Sequence, residues 1–471
     1  MKTLDVLLCG LVSGSLLCWV HGYFPYFGLV ALVPLLLGLK EATPRQAFYA
    51  GLLCGGLESF ILMGTLHYNW TIFTGLFLSY GLERSLFCLA VVALGRKKSP
   101  MLHSLLVPAL WVALELIHSD LPATLPNILG DTQHVGVFLP LAYVGGSFLI
   151  SFVLVWGNAA LAELTYGKLK SLSNSGAVFP TLVWLAVAPT LSAGSAVLMD
   201  EVASPTKSVT IIQGGYPRWV NEAAESDSEW KLFPLRIYEE LSLKAPPSDL
   251  TLWPEGPLWL NWGESPELEK ALGRIGRLRP PLIAGVLRRD DGGTYFNSAF
   301  MFDDDTVEFR DKQRLVLQEE RGFGQGTQPA VFDTKLGRMG AVFCLESVVP
   351  AYTRRLVQEG AQAIVVLANG ADLGRTPVAR LHAQRSIVRA VETGRWLLHA
   401  GHQGFSMVIS PRGQTTAPAR RFESAVVVGD FNLRTSVSPY TNWGDRPLGF
   451  GVFLLLGWCG FLGIKSRLKE D

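Results

Sequence analysis

Three side chains that together could carry out acyl transfer occur along the chain in the order acid, amine, thiol. Glu255 follows the apolar run Leu252–Pro254, Lys312 follows a mixed segment, and Cys344 ends the apolar run Met339–Phe343. A thiolate attacks carbonyl carbon, a carboxylate can take the thiol proton, and an ammonium group can stabilise the resulting oxyanion. Each residue alone is a weak signal, since acids and lysines are usually solvated. Their order and positions together favour covalent catalysis through Cys344 over a structural role for it.

Cys344 differs from the other five cysteines, which all lie in long apolar runs: Cys9, Cys18, Cys54, Cys88 and Cys459. It therefore has no disulfide partner in its own part of the chain, and it is either a buried core residue or a functional thiol. Pro350 favours the start of a helix shortly after the strand that Cys344 ends. A thiol between a strand end and a helix start lies near the positive end of the helix dipole, which favours thiolate.

An α/β domain would hold these residues, because short apolar strands alternate with amphipathic helices after about residue 205. Near-continuous apolar strands are typical of a sheet that is covered on both faces. The predicted strands are Val209–Gln213, Thr251–Trp253, Leu282–Leu287, Met339–Phe343, Ala363–Leu367, Trp396–His399 and Ala425–Val428. The predicted helices cover 221–243, 265–277, 348–359 and 377–393.

The rest of the chain has the composition of a membrane protein. Hydrophobic residues make up 49% of the chain and charged residues 17%, whereas soluble domains carry about 25% charged residues. A helix needs roughly 20 apolar residues to cross the bilayer core. About eight spans are predicted, near 4–21, 23–39, 46–65, 70–94, 101–118, 136–163, 177–198 and 448–464. The run 23–39 is short and contains Pro25 and Pro34, so we expect it to be kinked or re-entrant.

Lysine and arginine gather in alternate gaps between these runs. Such residues keep short loops cytoplasmic. They are Lys2, Lys40, Arg45, Arg96, Lys97, Lys98, Lys168, Lys170, Lys465, Arg467 and Lys469. All of them share one side if the chain starts in the cytoplasm and crosses seven times before residue 199. The sequence therefore predicts a transmembrane domain over 1–198, an extracytoplasmic catalytic domain over 199–447, and a final span with a cytoplasmic tail over 448–471.

Several other classes of function have no support in the sequence. The net charge of +1 and the absence of a basic stripe argue against a nucleic-acid partner. The histidines show no paired metal spacing, so no metal is expected. Gly322–Gly326 lacks the strand and helix that flank a nucleotide-binding loop. No cofactor is predicted.

The motifs of the α/β region resemble the nitrilase, or carbon–nitrogen hydrolase, superfamily, whose catalytic set is Glu, Lys and Cys in that order. The whole chain resembles the apolipoprotein N-acyltransferase family. The matching segments are Pro108–Glu115, Leu129–Gln133, Tyr143–Phe148, Gln213-Gly214, Trp253–Glu255, Tyr295–Ser298, Asp311-Lys312, Cys344–Glu346, Arg389–Arg395, Pro411–Gly413 and Tyr440–Asp445. The resemblance implies a membrane helical bundle joined to an α/β nitrilase-like domain with an α-β-β-α sandwich.

The resemblance also assigns roles to individual residues. Glu255 corresponds to the general base, Lys312 to the oxyanion-stabilising lysine and Cys344 to the nucleophile, with Glu320 and Glu346 as supporting acids. The positions that it implies for substrate binding are Trp259, Leu345 and Asn369. Trp259 either contacts lipid at the interface or packs over the strand ends. The chain departs from the family pattern at Leu317–Glu320, at Leu345 and at Gly370–Gly374, segments that line the entrance of the site.

The activity that the resemblance implies is acyl transfer from a phospholipid to the amino-terminal diacylglyceryl-cysteine of an apolipoprotein, through a thioester on Cys344. The enzyme would lie in the bacterial cytoplasmic (inner) membrane. Two other hypotheses stay open at this point. One is a membrane-tethered amidase acting on a small carbon–nitrogen substrate, and the other is an inactive lipid-binding or lipoprotein-binding scaffold.

Overall fold

The chain divides into two units in the computed structural model. The model describes residues 2–62, 70–95, 98–121, 127–170, 175–200, 205–217, 219–220, 223–224, 228–258, 260–279, 281–316, 320–374 and 376–467. We call one unit the membrane unit (Met1–Leu198, Arg375–Leu381 and Trp443–Asp471) and the other the α/β unit (Met199–Gly374 and His382–Asn442).

The membrane unit consists of helices. They are α1 Thr3–Gly22, α2 Val33–Leu39, α3 Pro44–Leu62, α4 Trp70–Gly95, α5 Pro100–Asp120, α6 Leu141–Leu169 and α7 Ser175–Leu198, and a long helix Arg446–Arg467 near the end of the chain. Within the described residues, five helices are long and apolar enough to cross a bilayer: those in Thr3–His21, Thr74–Gly95, Pro100–Ser119, Leu141–Leu169 and Gly176–Leu198. The protein is therefore a multi-pass membrane protein.

The run 23–39 is broken, as its prolines predict. A 3₁₀ helix covers Pro25–Leu29, and α2 has only seven residues, which extend about 10 Å. The Asn158 amide of α6 donates to the Gly28 carbonyl at 2.7 Å and accepts from the Leu32 N–H at 2.9 Å. Non-helical backbone in a membrane needs such partners, because lipid offers none.

Glycines bring α1, α3 and α4 close together. A Cβ atom added at Gly10 would lie 2.5 Å from the Ala50 carbonyl oxygen, and one at Gly55 would lie 2.2 Å from the Tyr80 carbonyl oxygen. Helices in membranes use small residues for this close approach. The same helices bury an ion pair in which the Arg84 Nε donates to Glu58 Oε2 at 2.9 Å.

The α/β unit is built on two sheets whose central strands are parallel. The first sheet has the order β12, β1, β2, β4, β5, β6, with β3 beside β4, and the second has the order β11, β10, β9, β8, β7. The strands are β1 Lys207–Gln213, β2 Leu250–Trp253, β3 Asn261–Trp262, β4 Leu282–Arg289, β5 Tyr295–Asp303, β6 Thr306–Asp311, β7 Ala330–Thr334, β8 Gly337–Phe343, β9 Ala363–Ala368, β10 Leu397–Gly401, β11 Met407–Ile409 and β12 Ala425–Phe431. Strands β1, β2 and β4 are parallel, and so are β8, β9 and β10.

The two sheets face each other across one apolar core, and helices cover their outer faces. Buried side chains of β1 and β2, such as Ile211 and Leu252, share this core with Phe343 and Val365 of the second sheet. The remaining helices, numbered onwards from α7, are α8 Ser228–Lys244, α9 Pro266–Leu278, α10 Cys344–Val348, α11 Pro350–Gln358, α12 Val378–Thr393 and α13 Pro439–Trp443, and the long helix Arg446–Arg467 is α14. Helices α8 and α9 bury apolar side chains against the first sheet. Each predicted strand lies within or overlaps an observed one, and Pro350 begins α11 as predicted.

Candidate active site

The predicted acid and thiol lie at the carboxyl ends of parallel strands. Glu255 comes two residues after β2, and Cys344 comes directly after β8. The carboxyl ends of parallel strands are where α/β proteins place ligands. Lys312 follows β6, an antiparallel strand, and its backbone N–H donates to the Asn297 carbonyl of β5 at 2.8 Å.

A buried cluster of one ammonium group and two carboxylates forms the centre of the site. The Lys312 Nζ donates to Glu255 Oε1 at 2.7 Å and to Glu320 Oε1 at 2.9 Å. The side chains of Lys312, Glu255 and Glu320 are 2%, 7% and 9% exposed. The structure thus brings together three of the predicted site residues, which are separated by up to 65 positions in the sequence.

Burial and neighbouring charge shift the pKa values of this cluster. Burial raises the pKa of the Glu255 carboxyl, Lys312 opposes that rise, and the Glu320 charge adds to it, so the net pKa lies above its usual range. Burial lowers the pKa of Lys312, but Glu255, Glu320 and Cys344 outweigh this, and the net pKa is raised. Lys312 is therefore a permanent cation, and Glu255 is suited to take up and release a proton.

Asn297 is a site residue that the sequence reasoning named only as part of a motif. Its Nδ2 donates to Glu255 Oε1 at 2.8 Å and to Glu320 Oε1 at 2.7 Å, and it is buried. A neutral donor between two carboxylates reduces their repulsion and fixes their orientation. The signal available beforehand was the polar pair Asn297-Ser298 inside the otherwise apolar run of β5.

The substitution Asn297→Ala should weaken both the site and the fold. Two hydrogen bonds to charged groups are lost from a buried position, and each contributes on the order of 1.5–3 kcal/mol. We expect the free energy of unfolding to fall by about 3–6 kcal/mol and the acylation rate to fall about tenfold. Asn261→Ala, at a partly exposed amide bonded to Glu264, is the matched control. Equal losses of stability in the two variants would contradict this account.

Cys344 is the first residue of α10, which has five residues, rather than a loop residue that precedes the Pro350 helix. It is partly exposed, whereas Phe343 before it and Glu346 after it are buried. Its charge contributes to the raised pKa of Lys312. The Lys312 Nζ lies 5.9 Å from the ring centroid of Phe343, so the partly exposed Cys344 directly follows a residue that faces the acid–amine cluster.

Glu346 holds the backbone on both sides of the site. Its Oε1 accepts from the backbone N–H groups of Gln313 and Arg314 at 2.5 Å and 2.9 Å, and its Oε2 accepts from the Phe343 N–H at 2.9 Å. The segment after Lys312 is thus tied to the residue before Cys344. Burial raises the pKa of Glu346 to about 7, and these backbone donors oppose the rise.

Glu346→Gln should loosen this connection. The amide oxygen can still face Gln313 and Arg314, but the amide nitrogen then meets the Phe343 N–H, and one buried donor loses its partner. Such a loss costs about 1–3 kcal/mol. We expect a corresponding drop in the free energy of unfolding and an acylation rate about tenfold lower. Glu359→Gln, at the exposed residue after α11, should leave both unchanged, and a wild-type rate in Glu346→Gln would refute the positioning role.

Lys312 is positioned by a second ion pair that the sequence did not reveal. The Arg288 guanidinium binds Asp311 through two hydrogen bonds of 2.8 Å and 2.6 Å. It lies between the rings of Phe296 and Phe309, at 4.1 Å and 4.5 Å from their centroids. A bidentate, stacked arginine holds its partner in one geometry. The residue next to Lys312 is therefore fixed to β4.

The structure describes two of the three positions that were predicted to bind substrate. The Asn369 Nδ2 donates to the Gly256 carbonyl at 3.3 Å, so this residue lies next to the backbone of Glu255. Leu345 is partly exposed beside Cys344 in α10. Trp259 lies outside the residues that the structure describes.

Comparisons with known proteins agree with this architecture. A family model described as carbon-nitrogen hydrolase matches residues 236–438, which include Glu255, Lys312 and Cys344. The α/β unit is therefore a carbon–nitrogen hydrolase domain. A second model, described as the apolipoprotein N-acyltransferase N-terminal domain, matches residues 13–160. The chain is therefore similar to apolipoprotein N-acyltransferases in its N-terminal region and to carbon–nitrogen hydrolases in its α/β unit.

Named relatives match the chain over nearly its full length. The chain is 28% identical to the apolipoprotein N-acyltransferase of Geobacter metallireducens, over 93% of this chain and 91% of that protein. It is 29% identical to the apolipoprotein N-acyltransferase of Azotobacter vinelandii, over 96% and 94%. Among solved structures, it is similar to Nit3 of Saccharomyces cerevisiae, a nitrilase-superfamily member, with 16% identity, a TM-score of 0.40, and 53% and 97% coverage.

Proposed function

We propose that this protein transfers an acyl chain from a phospholipid to the amino-terminal diacylglyceryl-cysteine of apolipoproteins, through a thioester on Cys344. The observation that carries the proposal is the union, in one chain, of the acid–amine–thiol site with the N-terminal domain matched at residues 13–160. A carbon–nitrogen hydrolase domain alone is equally compatible with amide hydrolysis. The membrane helices and the N-terminal match favour acyl transfer over the amidase alternative.

The proposed setting is the bacterial inner membrane, with about eight crossings and the catalytic domain on the extracytoplasmic side. The domains would be the helical region 1–198, the catalytic domain 199–447 and the final helix with its tail, 448–471. The clustering of lysine and arginine in alternate gaps supports this orientation. Both substrates are lipids whose reactive groups lie near the headgroup plane, so a membrane-anchored site meets them in two dimensions.

Acylation is the first half of the reaction. Glu255 accepts the proton of the Cys344 thiol, and the sulfur attacks the ester carbonyl carbon of the phospholipid. Lys312 and the Leu345 backbone N–H stabilise the oxyanion of the tetrahedral intermediate. The carbon–oxygen bond of the ester then breaks, Glu255 returns the proton to the leaving oxygen, and a lysophospholipid departs from the thioester.

Transfer to the amine is the second half. The α-amine of the diacylated lipoprotein attacks the thioester carbonyl, and Glu255 accepts a proton from the attacking nitrogen. The carbon–sulfur bond breaks, which leaves an amide product and a free thiolate on Cys344. The Glu255 proton then returns to the sulfur, and the starting state is restored. The raised pKa of Glu255 suits a group that takes up and releases protons twice in each cycle.

The product balance tests this function against hydrolysis. Purified full-length protein is incubated with phospholipid and a synthetic diacylated lipopeptide. We expect lysophospholipid and triacylated peptide in equal amounts, with a mass increase of one acyl chain on the enzyme when the peptide is omitted. Free fatty acid without a triacylated peptide would contradict acyl transfer, and no release of any product would support the scaffold hypothesis.

A further inference from the structure

A buried histidine lies directly behind the nucleophile. His382 belongs to α12, and its Nε2 lies 2.8 Å from the carbonyl oxygen of Cys344 and 2.7 Å from the Ser347 Oγ. The Ser347 hydroxyl donates to the same carbonyl oxygen at 2.8 Å. The Cys344 carbonyl therefore accepts from two side chains that the proposed mechanism does not use.

The protonation of His382 follows from its surroundings. Burial lowers the pKa of His382 to about 4, although the bond to the Cys344 carbonyl opposes this. The ring is thus neutral near pH 7 and has one N–H. Because a carbonyl oxygen can only accept, that hydrogen is on Nε2, where the Cys344 carbonyl and the Ser347 Oγ share it.

The carbonyl that His382 contacts is one end of the peptide group joining Cys344 to Leu345. The other end of that group is the Leu345 N–H, which is the backbone donor of the proposed oxyanion site. A donor at the carbonyl end fixes the plane of the peptide. It also polarises the peptide, so that the N–H becomes a stronger donor, because hydrogen bonds in a chain reinforce one another.

We propose that His382, assisted by Ser347, is a positioning residue that orients and polarises the Cys344–Leu345 peptide so that its N–H stabilises the oxyanion. This inference rests on the proposed function, since it requires Cys344 to attack an ester. If it holds, loss of His382 changes the rates of two reactions of the Cys344 thiol by different factors. Acylation passes through an oxyanion, whereas alkylation by iodoacetamide displaces iodide and forms none.

The test measures both reactions in full-length protein in detergent micelles. A p-nitrophenyl ester reports acylation as a burst of p-nitrophenolate, and iodoacetamide reports alkylation of Cys344 by peptide mass spectrometry, with Cys344→Ser as the blank. We expect His382→Leu to slow the burst about tenfold, because loss of an oxyanion donor itself costs 10²–10³, and to leave alkylation within about twofold of wild type. His382→Gln, whose amide nitrogen takes the position of Nε2, should restore most of the burst rate.

The control is His399, a second buried histidine whose ring packs edge-on against that of His382 at 5.0 Å, and whose Nδ1 bonds to Ser386. His399→Leu should leave the ratio of acylation to alkylation unchanged. An unchanged ratio in His382→Leu, or a burst in His382→Gln as slow as in His382→Leu, would overturn the inference while leaving the proposed function intact.

A third variant keeps the test decisive if His382→Leu does not fold. Ser347→Ala removes the other donor to the same carbonyl and should slow acylation about twofold to threefold without slowing alkylation. Equal slowing of the two reactions would overturn the inference. A wild-type protein that alkylates at Cys344 but gives no ester burst would instead refute the proposed function.

Discussion

Cys344→Ala should eliminate the acyl-enzyme and reduce lipopeptide acylation by a factor on the order of 10⁴ or more. Removal of a nucleophile leaves only the binding and electrostatic contributions of the rest of the site, and in comparable enzymes these account for a small part of the rate. Intact-mass analysis of the protein after incubation with phospholipid measures the adduct directly. Hydroxylamine, which cleaves thioesters, should remove the adduct from the wild-type protein.

The membrane unit offers a control thiol for this experiment. Cys9 is partly exposed, as Cys344 is, and lies in α1. Cys9→Ala should retain the adduct and the wild-type rate. An acyl adduct that persists in Cys344→Ala, or that disappears in Cys9→Ala, would show that a different sulfur carries the acyl chain.

Lys312→Met should have the second largest effect, because it acts on activity and on stability together. The variant removes the cation that the Glu255 and Glu320 carboxylates share, and it leaves two buried negative charges close together. Loss of one partner from a buried ion pair costs about 3–5 kcal/mol. Loss of an oxyanion donor costs on the order of 10²–10³ in rate. We expect both effects at pH 8.

The stability loss in Lys312→Met should depend on pH in a defined direction. Without Lys312, the pKa of Glu255 in the folded state rises further above its unfolded value, because only the Asn297 hydrogen bond then opposes burial and the Glu320 charge. The folded state then binds more protons than the unfolded state, so the free energy of unfolding falls as pH rises through this range. The difference from wild type should narrow from pH 8 to pH 5, as measured by denaturant unfolding.

Lys335→Met is the control for a lysine in ordinary ion pairs. Its side chain is 43% exposed and lies 3.4 Å from Asp303 and Asp304. Surface pairs of this kind contribute about 0–1 kcal/mol. If Lys312→Met were as stable as Lys335→Met at pH 8, the buried cluster would not hold the charges that we assign to it.

Local patterns predicted the strands that precede Glu255 and Cys344. The apolar runs before Glu255 and Cys344 are long enough to be recognised as buried strands, and both residues stand at the strand ends where they were expected. The prolines at 25 and 34 likewise predicted the broken segment between α1 and α3. A buried strand has a run or an alternation of apolar residues in its own sequence, and this local pattern made the two strands predictable.

The peripheral strands were less accessible to the same reasoning. Every residue of strand β6 is exposed or partly exposed, and its apolar alternation is limited to Val307 and Phe309. That pattern is too short to predict a strand, and the pairing with β5 defines β6. Strand β7 lies at the edge of the second sheet. Lys312 could therefore be assigned from the family resemblance, but the strand that presents it could not be recognised from composition.

The sequence by itself determined the membrane helices, the α/β domain and the order of acid, amine and thiol. The tertiary structure decided which polar groups meet: Lys312 with two carboxylates, Asn297 between them, Glu346 across two backbone segments, and His382 with the Cys344 carbonyl. These contacts join residues far apart in the chain, for example 42 positions between Asn297 and Glu255 and 38 between His382 and Cys344. A hydrogen bond across such a distance leaves no local pattern, because its partner is chosen only when the sheets pack together.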